Sequence, residues 1–152
     1  MTTTTTKLNF ANSMCVMLPL VAVYATGMAC PVPRASGSMV KFRPPAVVFS
    51  VVWPILLLLF GMSFMLARVV SPWYPLFTYG STVILLCIWM FIYGCRRRKD
   101  EAIWVIVLTI MCTLLSIVHG TTLSRSLAVP ILTWLMFALI ISTTEMGAQL
   151  GV

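Results

Sequence analysis

Charged side chains cut this chain into five long apolar windows. No Lys, Arg, Asp or Glu occurs in 8–33, 44–67, 69–95, 102–124 or 126–144, and His119 is the one imidazole inside them. Each window can hold a helix of about 20 residues, enough to cross a hydrocarbon layer roughly 30 Å thick. Nothing alternates with the two-residue period of a membrane barrel strand. Backbone groups that find no water in lipid must then be paired within helices. The pattern predicts an all-α membrane protein, a bundle of five transmembrane helices over about 12–30, 45–68, 76–94, 102–120 and 127–146. A disordered polar tail is expected at 1–10 and a short tail at 149–152. The first window also reads as a cleavable signal sequence, since Lys7 precedes a modest apolar run and "ATGMAC" offers small residues. The spanning reading is preferred because 8–33 is long enough, and Pro19 and Gly27 are tolerated in a packed membrane helix.

Local punctuation supports these elements. Pro44 and Pro45 suit a first helical turn, where a missing N–H has no intrahelical partner anyway. Pro54 removes one internal hydrogen bond and crowds the carbonyl of Ser50, so a bend is expected there. "SPWYP" reads as an interfacial turn, with Trp73 and Tyr74 suited to the headgroup layer, and Trp104 reads as a belt residue. Gly94 is the expected stop of the third helix, and "GTTLSRS" is the last turn.

Composition agrees: 61% of the 152 residues are hydrophobic, 9% are charged, and the mean hydropathy is +1.04. A soluble domain of this length needs far more polar surface. The net charge of +7 raises the question of nucleic acid. Here, though, the cations sit in short turns beside apolar helices, so lipid headgroups are the expected partner and nucleic acid is not. Arg34, Lys41, Arg43, Arg96, Arg97, Arg98 and Lys99 share one side of a five-helix arrangement, against Lys7, Arg68 and Arg125 on the other. The positive-inside rule then makes the C-terminus cytoplasmic. The five cysteines lie mostly in apolar windows without CxxC spacing. They are expected to pack as small residues rather than form disulfides or bind metal.

The chemistry is sparse. Paired carboxylates within the membrane, a Ser/His/Asp set and a phosphate-binding glycine loop are all lacking, so no enzyme is expected. Interior charges of the kind an ion pathway needs are nearly missing. His119 is expected to be a satisfied interfacial residue and Glu145 to mark a membrane boundary.

Three stretches in order resemble the translocator-protein family, also called tryptophan-rich sensory proteins or TspO/MBR. In "RPPAVVFSVVWPILLLLFG" the family's second-helix signature falls on Pro44, Pro45, Phe49, Val52, Trp53, Leu56 and Gly61, with Lys41 near its preceding basic residue. "PLFTYGSTVILLCIWMFIYG" is similar to the third-helix pattern through Pro75, Leu76, Tyr79, Trp89 and Gly94. "VPILTWLMF" resembles the fifth through Pro130, Leu132, Trp134, Leu135 and Phe137. The resemblance implies a five-helix bundle that binds or transports a flat hydrophobic ligand, a porphyrin or a sterol-like molecule, in a cavity walled by helices two and three and the first loop. Phe49, Trp53, Tyr79, Trp89, Trp134 and Phe137 are the implied ligand-binding residues; neither a catalytic residue nor a metal site is implied. The chain departs from the family at Leu57 and Ile131, where tyrosine is usual. It departs again at Leu86 and Cys87, where polar or aromatic groups are common, at Ser142, where Asn is typical, and in "ASGSMVKF", which lacks a Trp-Tyr pair. Those departures support an alternative: a structural membrane anchor or small subunit of a larger assembly, in a viral membrane or organelle complex, with ligand binding lost. A homodimer is a further arrangement the resemblance allows.

Overall fold

The structure is a computed structural model. It describes residues 3–33, 40–71 and 73–150, with side chains for 13–33, 40–71 and 73–148. Arg34 of the first loop lies outside the described residues. Five α-helices run in order: α1 (Thr3–Ala29), α2 (Ala46–Arg68), α3 (Trp73–Met90), α4 (Lys99–Val118) and α5 (Thr122–Leu150). A π-helical segment, Phe91–Arg96, extends α3 by six residues. Four stretches are long and apolar enough to cross a bilayer: Ala46–Arg68, Trp73–Arg96, Lys99–Val118 and Thr122–Ala148. Within α1 the apolar part is the shorter Ser13–Ala29. The chain is a multi-pass integral membrane protein.

The ends of the helices differ from the pattern for physical reasons. α1 reaches back to Thr3, so most of the stretch expected as a disordered tail is helical. No Pro or Gly lies between Thr3 and Leu18, and extending an existing helix is far easier than nucleating one. α5 likewise runs on into the expected tail, to Leu150. α4 begins at Lys99, with Asp100 and Glu101 in its first turn where the helix dipole favours carboxylates. α5 starts early because the Ser124 N–H donates to Thr121 Oγ1 at 3.3 Å, a side-chain cap. Just before it, the Arg125 guanidinium donates to the carbonyls of Gly120 (2.8 Å) and Val118 (2.9 Å), which satisfies the end of α4.

Packing closes the helices into a ring. α1 touches α2, α2 touches α5, α5 touches α4, α4 touches α3, and α3 returns to α1; α2 and α3 also meet across the ring. The outward faces are apolar too. Val47, Val51 and Ile55 on α2 follow helical spacing and are exposed, as are Trp104, Leu108, Met111, Leu115 and Val118 on α4. Such faces suit lipid and not water. Inward, α4 presents Ala102, Ile106, Thr109, Thr113 and Ser116. The hydroxyls of Thr109, Thr113 and Ser116 donate to carbonyls four residues earlier, so burying them leaves no donor unpaired.

α2 is an unbroken helix through Pro54. The proline leaves the Ser50 carbonyl without its helical donor, and the Tyr24 hydroxyl of α1 donates to that oxygen at 3.4 Å. Two glycines mark closer approaches. A Cβ at Gly61 would collide with the carbonyl oxygen of Val16, and one at Gly94 with that of Cys30. Gly94 is therefore not the helix stop expected of it. The turn ends instead at Arg97, in the left-handed region at φ 56°.

The cysteine expectation is also corrected. Cys30 and Cys95 form a disulfide, with Cα atoms 4.9 Å apart. Sequence spacing missed it because the α1–α3 contact, not local motif geometry, brings the two together. Cys15, Cys87 and Cys112 remain free.

Gly61→Ala is expected to lower the unfolding midpoint in detergent by an amount equivalent to about 1–3 kcal/mol, because backbone rather than a movable side chain would meet the new methyl group. Gly80→Ala, where a Cβ would meet nothing within 4 Å, should leave the midpoint unchanged. Equal melting of the two variants would refute the close α1–α2 contact.

Candidate functional site

One end of the bundle holds a cavity of about 570 Å³, within the range of small-molecule sites. Its walls come from four places in the chain. The start of α2 contributes Arg43, Pro44, Pro45, Phe49 and Trp53; α3 and its π segment contribute Trp89, Met90 and Tyr93. α5 adds Ala138, Ile141 and Ser142, and the first loop adds Val32 and Pro33. Pro45 caps α2 with extended geometry (φ −55°, ψ 151°), which turns the chain from the loop into the helix at the mouth. A second space of about 320 Å³ lies between α1 and α2, lined by Val23, Tyr24, Gly27, Met28 and Ser50. Phe49, Trp53 and Met90 border both spaces.

The aromatic walls form a connected set. Trp53 and Trp89 have centroids 6.1 Å apart and planes 31° apart. Trp89 in turn stacks on Tyr93 at 5.3 Å and 23°. The Arg43 guanidinium lies over Phe49 at 5.6 Å from the ring centre, a cation–π contact. The indole N–H groups of Trp89 and Trp134 are buried with no acceptor among the described residues.

Tyr93 is positioned from behind. Its hydroxyl donates to Glu145 Oε2 at 2.8 Å, and Lys99 Nζ donates to Glu145 Oε1 at 2.6 Å. The Glu145 side chain is 3% exposed and that of Lys99 is 21%. Three elements, the π segment, α4 and α5, thus converge on one neutralised carboxylate. Glu145 is not the boundary marker expected from the sequence but a buried joint beneath the cavity wall.

The six residues implied by sequence resemblance separate. Phe49, Trp53 and Trp89 line the cavity. Trp134 sits behind them, edge-on to Phe49 at 5.5 Å and to Trp53 at 6.4 Å, and Phe137 packs against Trp134 at 5.5 Å. Tyr79 lies ten residues before Trp89, roughly 15 Å along a helix. It is 2% exposed, packs on Phe60 and Phe64 and hydrogen-bonds Ser63 and Ser124. It joins α2, α3 and α5 at the far end and does not border the cavity. The wall residues missed from sequence include Arg43, Met90, Tyr93, Ile141 and Ser142. Tyr93 was recoverable, because it follows Trp89 by four residues and shares its helix face.

The apolar departures from the family pattern also find their places. Leu57 and Ile131 are fully buried and Leu86 nearly so, all in the packed core. Among the described departures Ser142 borders the cavity, and its hydroxyl is turned to the Ala138 carbonyl at 2.8 Å. At the opposite end Tyr74 packs on His119 at 4.2 Å, which accounts for the lone histidine as an interfacial contact.

Among known protein families, residues 15–145 match the one described as the TspO/MBR family. No curated protein matches the chain.

Lys99→Met should destabilise the detergent-solubilised protein by about 3–5 kcal/mol, since it strands a buried carboxylate. The double variant Lys99→Met with Glu145→Met should recover most of that loss. Single and double variants with the same unfolding midpoint would mean that the pair does not act as a unit.

Proposed function

The chain belongs to the TspO/MBR family, and from that membership together with the cavity we propose that it binds a flat hydrophobic ligand with an acidic edge, a porphyrin rather than a neutral sterol. The observation that carries this reading is the unmatched cation at the cavity mouth. The whole sequence has three carboxylates. Asp100 pairs with Arg98, Glu101 with Arg96 and Arg98, and Glu145 with Lys99. None is left for Arg43, which lines a largely apolar space whose other polar side chains, Tyr93 and Ser142, carry no charge. A guanidinium in such a setting favours an anion supplied from outside. The stacked faces of Trp53, Trp89 and Tyr93 suit a planar apolar body. Transport would follow from exchanging that ligand with the bilayer or the aqueous phase.

A second reading, a structural subunit that has lost its ligand, draws on the apolar residues Leu57, Leu86 and Ile131. Their burial in the core, away from the cavity wall, favours the binding reading instead. The cavity end carries Lys41, Arg43 and the Arg96–Lys99 run, so we place it, with the C-terminus, on the cytoplasmic side.

Titrating a dicarboxylate porphyrin into the purified protein should quench tryptophan fluorescence saturably. Trp53→Ala should weaken binding roughly tenfold, for a loss of about 1.4 kcal/mol of stacking and contact. Arg43→Leu should weaken the dicarboxylate by a similar factor and leave its neutral diester unaffected. Quenching that never saturates would sink the proposal. Recovery of the native protein in a fixed stoichiometry with one large partner would favour the structural reading.

A further inference from the structure

The two sulfurs of the Cys30–Cys95 bond sit in different settings. Cys30 is 4% exposed, whereas Cys95 is exposed. Arg96 and Arg97 follow Cys95 directly, both exposed, and Arg97 makes no ion pair among the described residues. Each half of the bond belongs to a different cavity wall. Cys30 directly follows α1, and Val32 and Pro33 just beyond it line the cavity. Cys95 lies in the π segment, whose Tyr93 lines the cavity from the other side. The disulfide is thus a covalent join between the first loop and the end of α3, and Gly94 keeps those two backbones in contact.

The location gives this bond its meaning. It lies at the basic end of the bundle, which the positive-inside rule assigns to the cytoplasm, where small thiols keep most cysteines reduced. A disulfide shielded from solvent would simply persist there as a staple. This one offers an exposed sulfur flanked by cations, which draw in an anionic thiol and favour the thiolate that leaves or attacks.

We propose that Cys30–Cys95 is a redox clasp on the cavity mouth, closed as the disulfide and opened by an anionic small-molecule thiol of the glutathione class. The clasp chemistry stands on its own, while its effect on ligand rests on the binding reading above. A small thiolate attacks Cys95 Sγ, forms a mixed disulfide and releases the Cys30 thiolate, which takes up a proton. A second small thiolate attacks the small-molecule sulfur of the mixed disulfide, releasing the Cys95 thiolate and the oxidised small-molecule disulfide. The protein disulfide gains two electrons and the two small thiols lose them. Closure is the reverse, with the oxidised small-molecule disulfide as oxidant. Once open, the Val32–Pro33 wall is held to the π segment by non-covalent contacts alone, and ligand leaves faster.

The test uses the full chain in detergent, equilibrated in glutathione buffers of stepped thiol-to-disulfide ratio and then alkylated for mass analysis. Cys30 and Cys95 should gain label together as the buffer becomes more reducing, with the helical content unchanged. Hydrogen exchange of the ligand-free protein over 24–33 and 89–98 should quicken roughly tenfold on reduction, a local opening about 1.4 kcal/mol easier. Release of a dicarboxylate porphyrin should quicken by a similar factor. Cys95→Ser should match the reduced protein in every buffer, and this variant keeps the test sharp if Cys30→Ser does not fold. A bond that resists glutathione until the protein unfolds would overturn the clasp, as would identical exchange in the two redox states. Absence of porphyrin binding in both states would instead overturn the binding reading, leaving labelling and exchange to decide the clasp.

Discussion

Glu145 is a carboxylate within a helix bundle otherwise built for lipid, and the cavity end is organised around the need to neutralise it. Lys99 supplies the charge and Tyr93 the second hydrogen bond. Those two partners tie the π segment and the first residue of α4 to α5. Tyr93, in the π segment, stacks on Trp89 while its hydroxyl reaches the carboxylate. A buried ion pair of this kind adds little net stability against an apolar substitute, yet it penalises any arrangement that breaks it. Its value here lies in specifying one arrangement of three elements.

The far end solves the same problem without charge. Ser63, Tyr79 and Ser124 satisfy one another across α2, α3 and α5, and threonines along α3 and α4 close their hydroxyls onto their own helices. The bundle therefore has a polar lock at each end and apolar packing between. Arg43 stands outside both locks. It lines the cavity wall, over the ring of Phe49.

Much of this was legible from the chain alone. Apolar windows bounded by charge gave the count of five helices, since in lipid the hydrophobic run and the helix are nearly the same object. Phe49, Trp53 and Trp89, which line the cavity, stand on the recognisable proline and tryptophan spacing of the second and third helices. What was hidden depended on contacts distant in sequence. Cys30 and Cys95 are 65 residues apart, and only the α1–α3 contact makes them partners. Tyr79 carries a family signature yet serves as a packing and hydrogen-bonding residue, because its place along the helix, not its type, decides which end it joins. Glu145 looked like a boundary marker since nothing near it in sequence reveals Lys99, 46 positions away. The long α1 exposes the same limit from the other side: composition described its first ten residues as polar, but not whether a neighbouring helix would propagate into them.

The ring order of the helices bears on how the molecule comes into being. Synthesis delivers α1 to α5 in sequence, yet α5 lies between α2 and α4 around the ring. The α2–α3 contact across the ring is available as soon as those helices exist, whereas α5 must still find its place beside two helices already made. Ala138, Ile141 and Ser142 arrive with it. The cavity wall is therefore incomplete in any nascent chain that stops before α5, however well its first four helices have packed.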